Sequence, residues 1–162
     1  MSLNWTQPDE YQSSYTYRVQ TNVNSSSTQI NNTTVSSATI GNLTAGETYT
    51  FTVYTISACN IQSDPVPIID CTLPGQAVGA AASSNTSVNS LFVSWTAPQG
   101  KVSNYNVTIT EYVNNTMQTG TMQPNMTQVN FTGLLPGRVY NVTIVTVSSS
   151  CSQAAPSLSQ AT

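Results

Sequence analysis

Apolar and polar residues alternate with a period of two along most of this chain, and no segment carries a convincing 3.6-residue period. In the second half, "SLFVSW" sets Leu91, Val93 and Trp95 on one face with Phe92 and Ser94 opposite. "YNVTIT" does the same with Tyr105, Val107 and Ile109. Further on, Val129, Phe131 and Leu134 form one set, and Tyr140, Val142 and Ile144 another. The first half matches with Leu3 and Trp5; Tyr17 and Val19; Ile40 and Leu43; then Tyr49, Phe51 and Val53. Short β-rich strands separated by Gly, Pro, Asn and Ser turns predict an all-β sandwich.

The pattern is written twice. "LTAGETYTFTV" from Leu43 and "LLPGRVYNVTI" from Leu134 both read Leu-x-x-Gly-x-x-Tyr before entering a strand, and Tyr49 and Tyr140 lie 91 positions apart. A repeat at that spacing predicts two copies of one small domain, a size that folds alone with little stability to spare. Pro74-Gly75 interrupts the alternation inside "TLPGQA", which places the modules at residues 1–73 and 74–162. Trp95 is preceded in its module by a long lead-in, whereas only four residues precede Trp5. The first copy is therefore expected to lack its opening strand and to leave a sheet edge exposed or covered from outside. Met1 reads as a start codon added to an excised fragment.

Composition narrows the function. Charged residues make up 6% of the 162, with net charge −3 and no histidine. Three cations cannot make the basic footprint of a nucleic-acid binder. No apolar run approaches the roughly 20 residues of a membrane span, and no signal peptide is visible, so membrane attachment would come only through parts of a parent chain outside this sequence. Without histidine there is no His-based triad, general base or metal ligand. The carboxylates Asp9, Glu10, Glu47, Asp64, Asp70 and Glu111 are few and dispersed, and neither a phosphate loop nor a calcium loop is present. No enzyme and no cofactor are expected of this fragment.

Trp5, Tyr17, Leu43, Gly46 and Tyr49, and again Trp95, Tyr105, Leu134, Gly137 and Tyr140, are the landmarks of the fibronectin type III domain, which this chain resembles over nearly its whole length. Each landmark has a physical reason. A Trp between the sheets buries the most area. Gly allows the tight turn, and the Tyr hydroxyl can bond back to backbone at the corner between sheets. The resemblance implies two tandem immunoglobulin-like β-sandwiches. Within that superfamily the Asn/Ser/Thr-rich, charge-poor wording of "TIGNLTAGETYTFTVYT" and "CTLPG" resembles the ectodomains of receptor-type protein tyrosine phosphatases. That likeness implies a membrane receptor whose catalytic domain is intracellular and lies outside this sequence. Alternatives are a structural adhesion or matrix protein with no signalling domain, and a microbial carbohydrate-active enzyme using such modules as spacers.

On this frame Cys59 closes the sixth strand of the first module and Cys71 lies on the seventh. A Cys59–Cys71 bridge across that hairpin is expected, worth about 3 kcal/mol on the chain-entropy estimate. Cys151 stands where Cys59 does, so its partner is expected at position 163. Three free thiols are the alternative. Acceptor motifs Asn-x-Ser/Thr occur at Asn4, Asn24, Asn31, Asn32, Asn42, Asn85, Asn106, Asn114, Asn125, Asn130 and Asn141. Asn4, Asn106, Asn130 and Asn141 fall at outward strand positions. Asn31 and Asn32 overlap and are not expected to be occupied together. Bridges and acceptors together predict an extracellular, cell-surface origin.

The third and sixth strands lie side by side in one sheet, and in the second module both carry outward acceptors, Asn106 and Asn141. Sugars there would shield that face. The matching face of the first module carries Arg18, Gln20, Thr50, Thr52 and Tyr54, with no acceptor among these five. It is expected to be the freer surface for an extracellular protein ligand, whose identity the sequence does not give.

Overall fold

The computed structural model describes residues 1–23, 26–148, 151–154 and 158–161, so the acceptor Asn24 lies outside the described residues. The chain divides into two compact units. Unit 1 comprises Met1–Leu43 and Thr48–Thr72, and unit 2 comprises Thr44–Glu47 and Leu73–Thr162.

In unit 1, β1 (Ser2–Asn4) pairs with β4 (Ser37–Thr39). The second sheet has the order β3-β2-β5-β6, from β2 (Thr16–Val23), β3 (Ser26–Thr33), β5 (Thr48–Ile56) and β6 (Val66–Cys71). All pairings are antiparallel. Period-two alternation sends one set of side chains inward from each sheet. Leu3, Tyr17, Val19, Ile40, Tyr49, Phe51 and Val53 meet as the core, with Trp5, Leu43 and Ile68 packed against it.

Among the described residues, unit 2 repeats the plan with eight strands where unit 1 has six. β7 (Val78–Ser83) and β11 (Gln128–Thr132) flank β8 (Ser90–Thr96) in a three-stranded sheet. The other sheet runs β10 (Met117–Met122), β9 (Asn104–Glu111), β12 (Val139–Ser148), β13 (Cys151–Ala154), with β14 (Leu158–Ala161) also pairing β12. Its core holds Leu91, Val93, Trp95, Tyr105, Val107, Ile109, Phe131, Leu134, Tyr140, Val142 and Ile144, together with Ala77. Every inward residue that the alternation assigns to this module is in or against that core.

The landmarks act as their chemistry requires. Trp5 meets Tyr17 edge-on at 5.3 Å and Trp95 meets Tyr105 in the same way at 5.2 Å, the preferred geometry for aromatic pairs. Gly46 and Gly137 sit at φ 72° and 68°, a left-handed conformation that costs a side-chain-bearing residue. The Tyr140 hydroxyl accepts a hydrogen bond from the Leu135 N–H at 2.9 Å, closing the corner. The two units differ in the way the lead-in length suggests. β7 in unit 2 has no counterpart among the described residues of unit 1, where β1 pairs with β4 alone. Trp5 is accordingly half-buried, while Trp95 is 5% exposed.

The expected Cys59–Cys71 bridge does not form. Cys59 is a free, exposed thiol, whereas Cys71 and Cys151 are each disulfide-bonded. The reason is hairpin geometry. Ile56 bridges to Gln62, and the turn between them is closed by Asn60 N–H to Ser57 carbonyl and Ser57 N–H to Ile61 carbonyl. Cys59 is therefore at the tip of the β5–β6 hairpin. Cys71 faces Thr48 at the opposite end, five residues beyond the Val53–Val66 pair. At about 3.4 Å per residue, β6 alone spans about 17 Å, well over the roughly 7 Å limit between bridged Cα atoms. Cys151, expected to be left without its partner, is disulfide-bonded.

Candidate protein-binding face

The outward surface of the β3-β2-β5-β6 sheet is built row by row from its register. Arg18 lies opposite Tyr54, Gln20 opposite Thr52, and Asn22 opposite Thr50. Because directly opposed residues share a face, the five residues expected from sequence are one contiguous patch on neighbouring strands. Their inward neighbours Tyr17, Val19, Phe51 and Val53 anchor that patch to the core.

Local bonds fix the polar side chains. An Arg18 Nη1 hydrogen is donated to Gln62 Oε1 at 2.9 Å, tying the guanidinium to the β5–β6 turn. Gln20 Nε2 donates to Asn22 Oδ1 at 3.3 Å. Thr52 is 9% exposed, so it floors the face and offers a ligand little to grip. Arg18, Gln20, Thr50 and Tyr54 are half-buried.

The register adds residues that the sequence reading missed. Ile30 on β3 pairs with Gln20, while Pro67 and Ile69 on β6 pair with Thr52 and Thr50. All three therefore point outward on the same face. Ile30 is 62% and Ile69 71% exposed. Exposed Ile within a strand at a patch rimmed by polar residues is the kind of anchor an interface uses. Neither strand has the clean alternation of β2 and β5, which is why β3 and β6 left no sequence signal for these positions. The same register places Asn32 opposite Arg18. An acceptor thus stands on the β3 margin of this face, which is open on its β5–β6 side.

The overlapping acceptors separate by orientation. Asn31 pairs with buried Val19 and shares its inward side, whereas Asn32 pairs with Arg18 and is exposed. In unit 2, Asn106 opposes Val145 and Asn141 opposes Thr110 across the β9–β12 pair, so both acceptors occupy one outward face. Thr121 Oγ1 donates to Asn106 Oδ1 at 3.1 Å. Asn4 and Asn130 are exposed on β1 and β11. Asn42, Asn85, Asn114 and Asn125 are exposed outside the strands.

No other arrangement on the described residues suggests chemistry. Glu111 is buried, with Arg138 Nη1 at 3.8 Å and Thr116 Oγ1 donating to it at 3.4 Å; it lies at the β9 end, apart from the other carboxylates. Among the described residues, no group of three or more His, Cys, Asp or Glu side chains is placed to hold a metal ion. No helix of the described residues is long and apolar enough to cross a membrane.

Comparison with known proteins agrees with the geometry. The model of the fibronectin type III domain matches residues 1–69 and 77–159. The receptor-type tyrosine-protein phosphatase eta of Gallus gallus is 31% identical over 157 residues, covering 91% of this chain. The chain spans 10% of that relative's length. A two-domain fibronectin type III segment of chicken tenascin superposes with a TM-score of 0.72 at 26% identity, covering 99% of this chain and 91% of the segment.

Proposed function

Because the chain belongs to the fibronectin type III family, we propose that it is a tandem ectodomain piece of a receptor-type protein tyrosine phosphatase that binds an extracellular protein and sets distance from the membrane. Fibronectin type III modules are non-catalytic binding modules, and the chain's part in the receptor is recognition. The 31% identity across 91% of the chain supports the receptor assignment. The observation that carries the binding role is the contiguous outward patch of Arg18, Gln20, Thr50 and Tyr54, extended by exposed Ile69. The corresponding sheet of unit 2 places two acceptors, Asn106 and Asn141, on its outward face. Sugars at those positions turn that face into a hydrated spacer and leave unit 1 to bind.

The test uses the whole chain, secreted from animal cells, tetramerised on a fluorescent carrier and applied to cultured animal cells. Surface staining is expected, and Arg18→Glu, Tyr54→Ala and Ile69→Asp should each lower it by about tenfold or more, the loss typical of an interface anchor. Thr110→Arg, on the unit 2 face but outside every acceptor motif, should leave it unchanged. Staining insensitive to all three unit 1 variants would dispose of the binding face. A second reading, a structural adhesion or matrix module without a signalling domain, is supported by the likeness to the tenascin segment.

A further inference from the structure

The outward face of the unit 2 sheet is uneven, and its apolar part falls beside one of its two acceptors. In the row of Asn141, Thr110 stands opposite on β9, and Met117 stands opposite Thr110 on β10. One row nearer the β9–β10 turn, the Tyr112 N–H donates to the Val139 carbonyl at 3.0 Å, which sets these two residues against each other. Val139 lies two residues before Asn141 and shares its side of β12. Tyr112 is diagonal to Asn141 across the pair, a separation that an aromatic side chain spans. Tyr112 is 70% exposed, Met117 69% and Val139 42%.

Asn106 has different company. Thr121 lies opposite it on β10 and Val145 on β12, and the next row holds Thr119, Thr108 and Thr143. Thr121 is bonded to Asn106 and Thr119 to Thr108, while Val145 is half-buried. Exposed large apolar side chains therefore gather at Asn141 and not at Asn106. Such a patch on a strand face marks a place where something binds. The group that an acceptor carries fits it. The pyranose ring of β-linked N-acetylglucosamine bears its substituents equatorially, so one face presents only axial C–H bonds. That face matches the electron-rich face of a phenol ring.

We propose that unit 2 binds its own oligosaccharide: the first N-acetylglucosamine on Asn141 lies across the Tyr112 ring, with Val139 and Met117 flanking the contact. The inference rests on the reading of this face as sugar-bearing. It makes the Asn141 sugar a fixed part of the fold that covers apolar surface, whereas the Asn106 sugar extends into water. Asn114, two residues beyond Tyr112 in the turn, is the competing acceptor for the same ring.

The full chain is secreted from animal cells, its sugars are trimmed enzymatically to a single N-acetylglucosamine, and occupancy of each acceptor is read by mass spectrometry. Proton NMR is expected to show the Asn141 sugar shifted upfield by the Tyr112 ring, with cross-relaxation between ring and sugar protons. The Asn106 sugar should keep free-solution shifts. Tyr112→Ser should return the Asn141 sugar to those shifts, and Tyr112→Phe, which keeps a ring, should not. Asn141→Gln should lower the thermal midpoint of unit 2, followed by the amide signals of its core strands, by about 4 °C, the effect of a contact of aromatic-pair strength in a domain of this size. In the Tyr112→Ser background the same substitution should lower it hardly at all. Sugar shifts on a modified Asn141 that are equal in wild type and Tyr112→Ser would overturn this inference alone, and so would an upfield shift confined to the Asn114 sugar. A chain left unmodified at Asn141 would overturn it too, and one unmodified at Asn106 as well would take the sugar-bearing face with it.

Discussion

The two Tyr landmarks of each module differ in what their hydroxyls do, and that difference is measurable. Tyr140 is held by the Leu135 N–H, so Tyr140→Phe leaves a backbone donor short of its partner at the corner. A loss of about 1–3 kcal/mol is expected in the unfolding of unit 2, read by urea titration. Tyr17 is 1% exposed, and its hydroxyl is buried without a partner. Tyr17→Phe should therefore be neutral or stabilising, since it removes a buried polar group that makes no bond. A Tyr17→Phe loss as large as that of Tyr140→Phe would contradict this account. Burial also raises the phenol pKa of both Tyr17 and Tyr105 above the ordinary 10.0, with a smaller push on Tyr17 from Tyr11. The folded state then holds these protons more tightly than the unfolded chain. Stability from this source is complete below pH 10 and declines as pH rises through the folded pKa values. Thermal melts should fall steadily above pH 10, and the Tyr17→Phe/Tyr105→Phe pair should flatten that fall.

At the scale of elements, strands that alternate cleanly are legible in the sequence because each puts one face into the core. β2, β5, β8, β9 and β12 are of this kind, and their buried residues are those the period-two pattern marks. β3 and β6 are edge strands of their sheet. Burial constrains an edge strand less, so Ile30 and Ile69 give no pattern that announces their outward position. The cysteines show a second limit. Residue spacing suggests that Cys59 and Cys71 are neighbours, but hairpin partners are symmetric about the turn, and Cys59 is in the turn itself. Reaction of the native chain with a thiol reagent should titrate one cysteine, and all three should react after reduction in denaturant. Cys59→Ser should change stability by less than about 0.5 kcal/mol, whereas reduction should cost about 2–5 kcal/mol. Two or more reactive thiols in the native, unreduced chain would contradict the assignment.

Over the whole molecule, one scaffold is used twice and then made unequal by its outward residues. The landmarks Trp, Tyr, Leu, Gly and Tyr recur in both units because packing two twisted sheets needs them, and they identify no ligand. What separates the units is the strand β7, present in unit 2, and the chemistry of the corresponding sheet faces. Unit 1 presents Tyr54, Ile69 and Arg18 with Asn32 at one margin. Unit 2 presents Asn106 and Asn141 within its face. The outward acceptors were legible from alternation alone. That Asn32 rather than Asn31 faces outward needed the register, because adjacent residues of a strand always point to opposite sides. The proposed division of labour, a binding unit beside a sugar-covered spacer, rests on these positions. Glycopeptide mapping by mass spectrometry of the chain secreted from animal cells tests it most directly. Oligosaccharide is expected on Asn106, Asn141 and Asn32 and none on Asn31. Asn106 and Asn141 both unmodified in the secreted protein would contradict it.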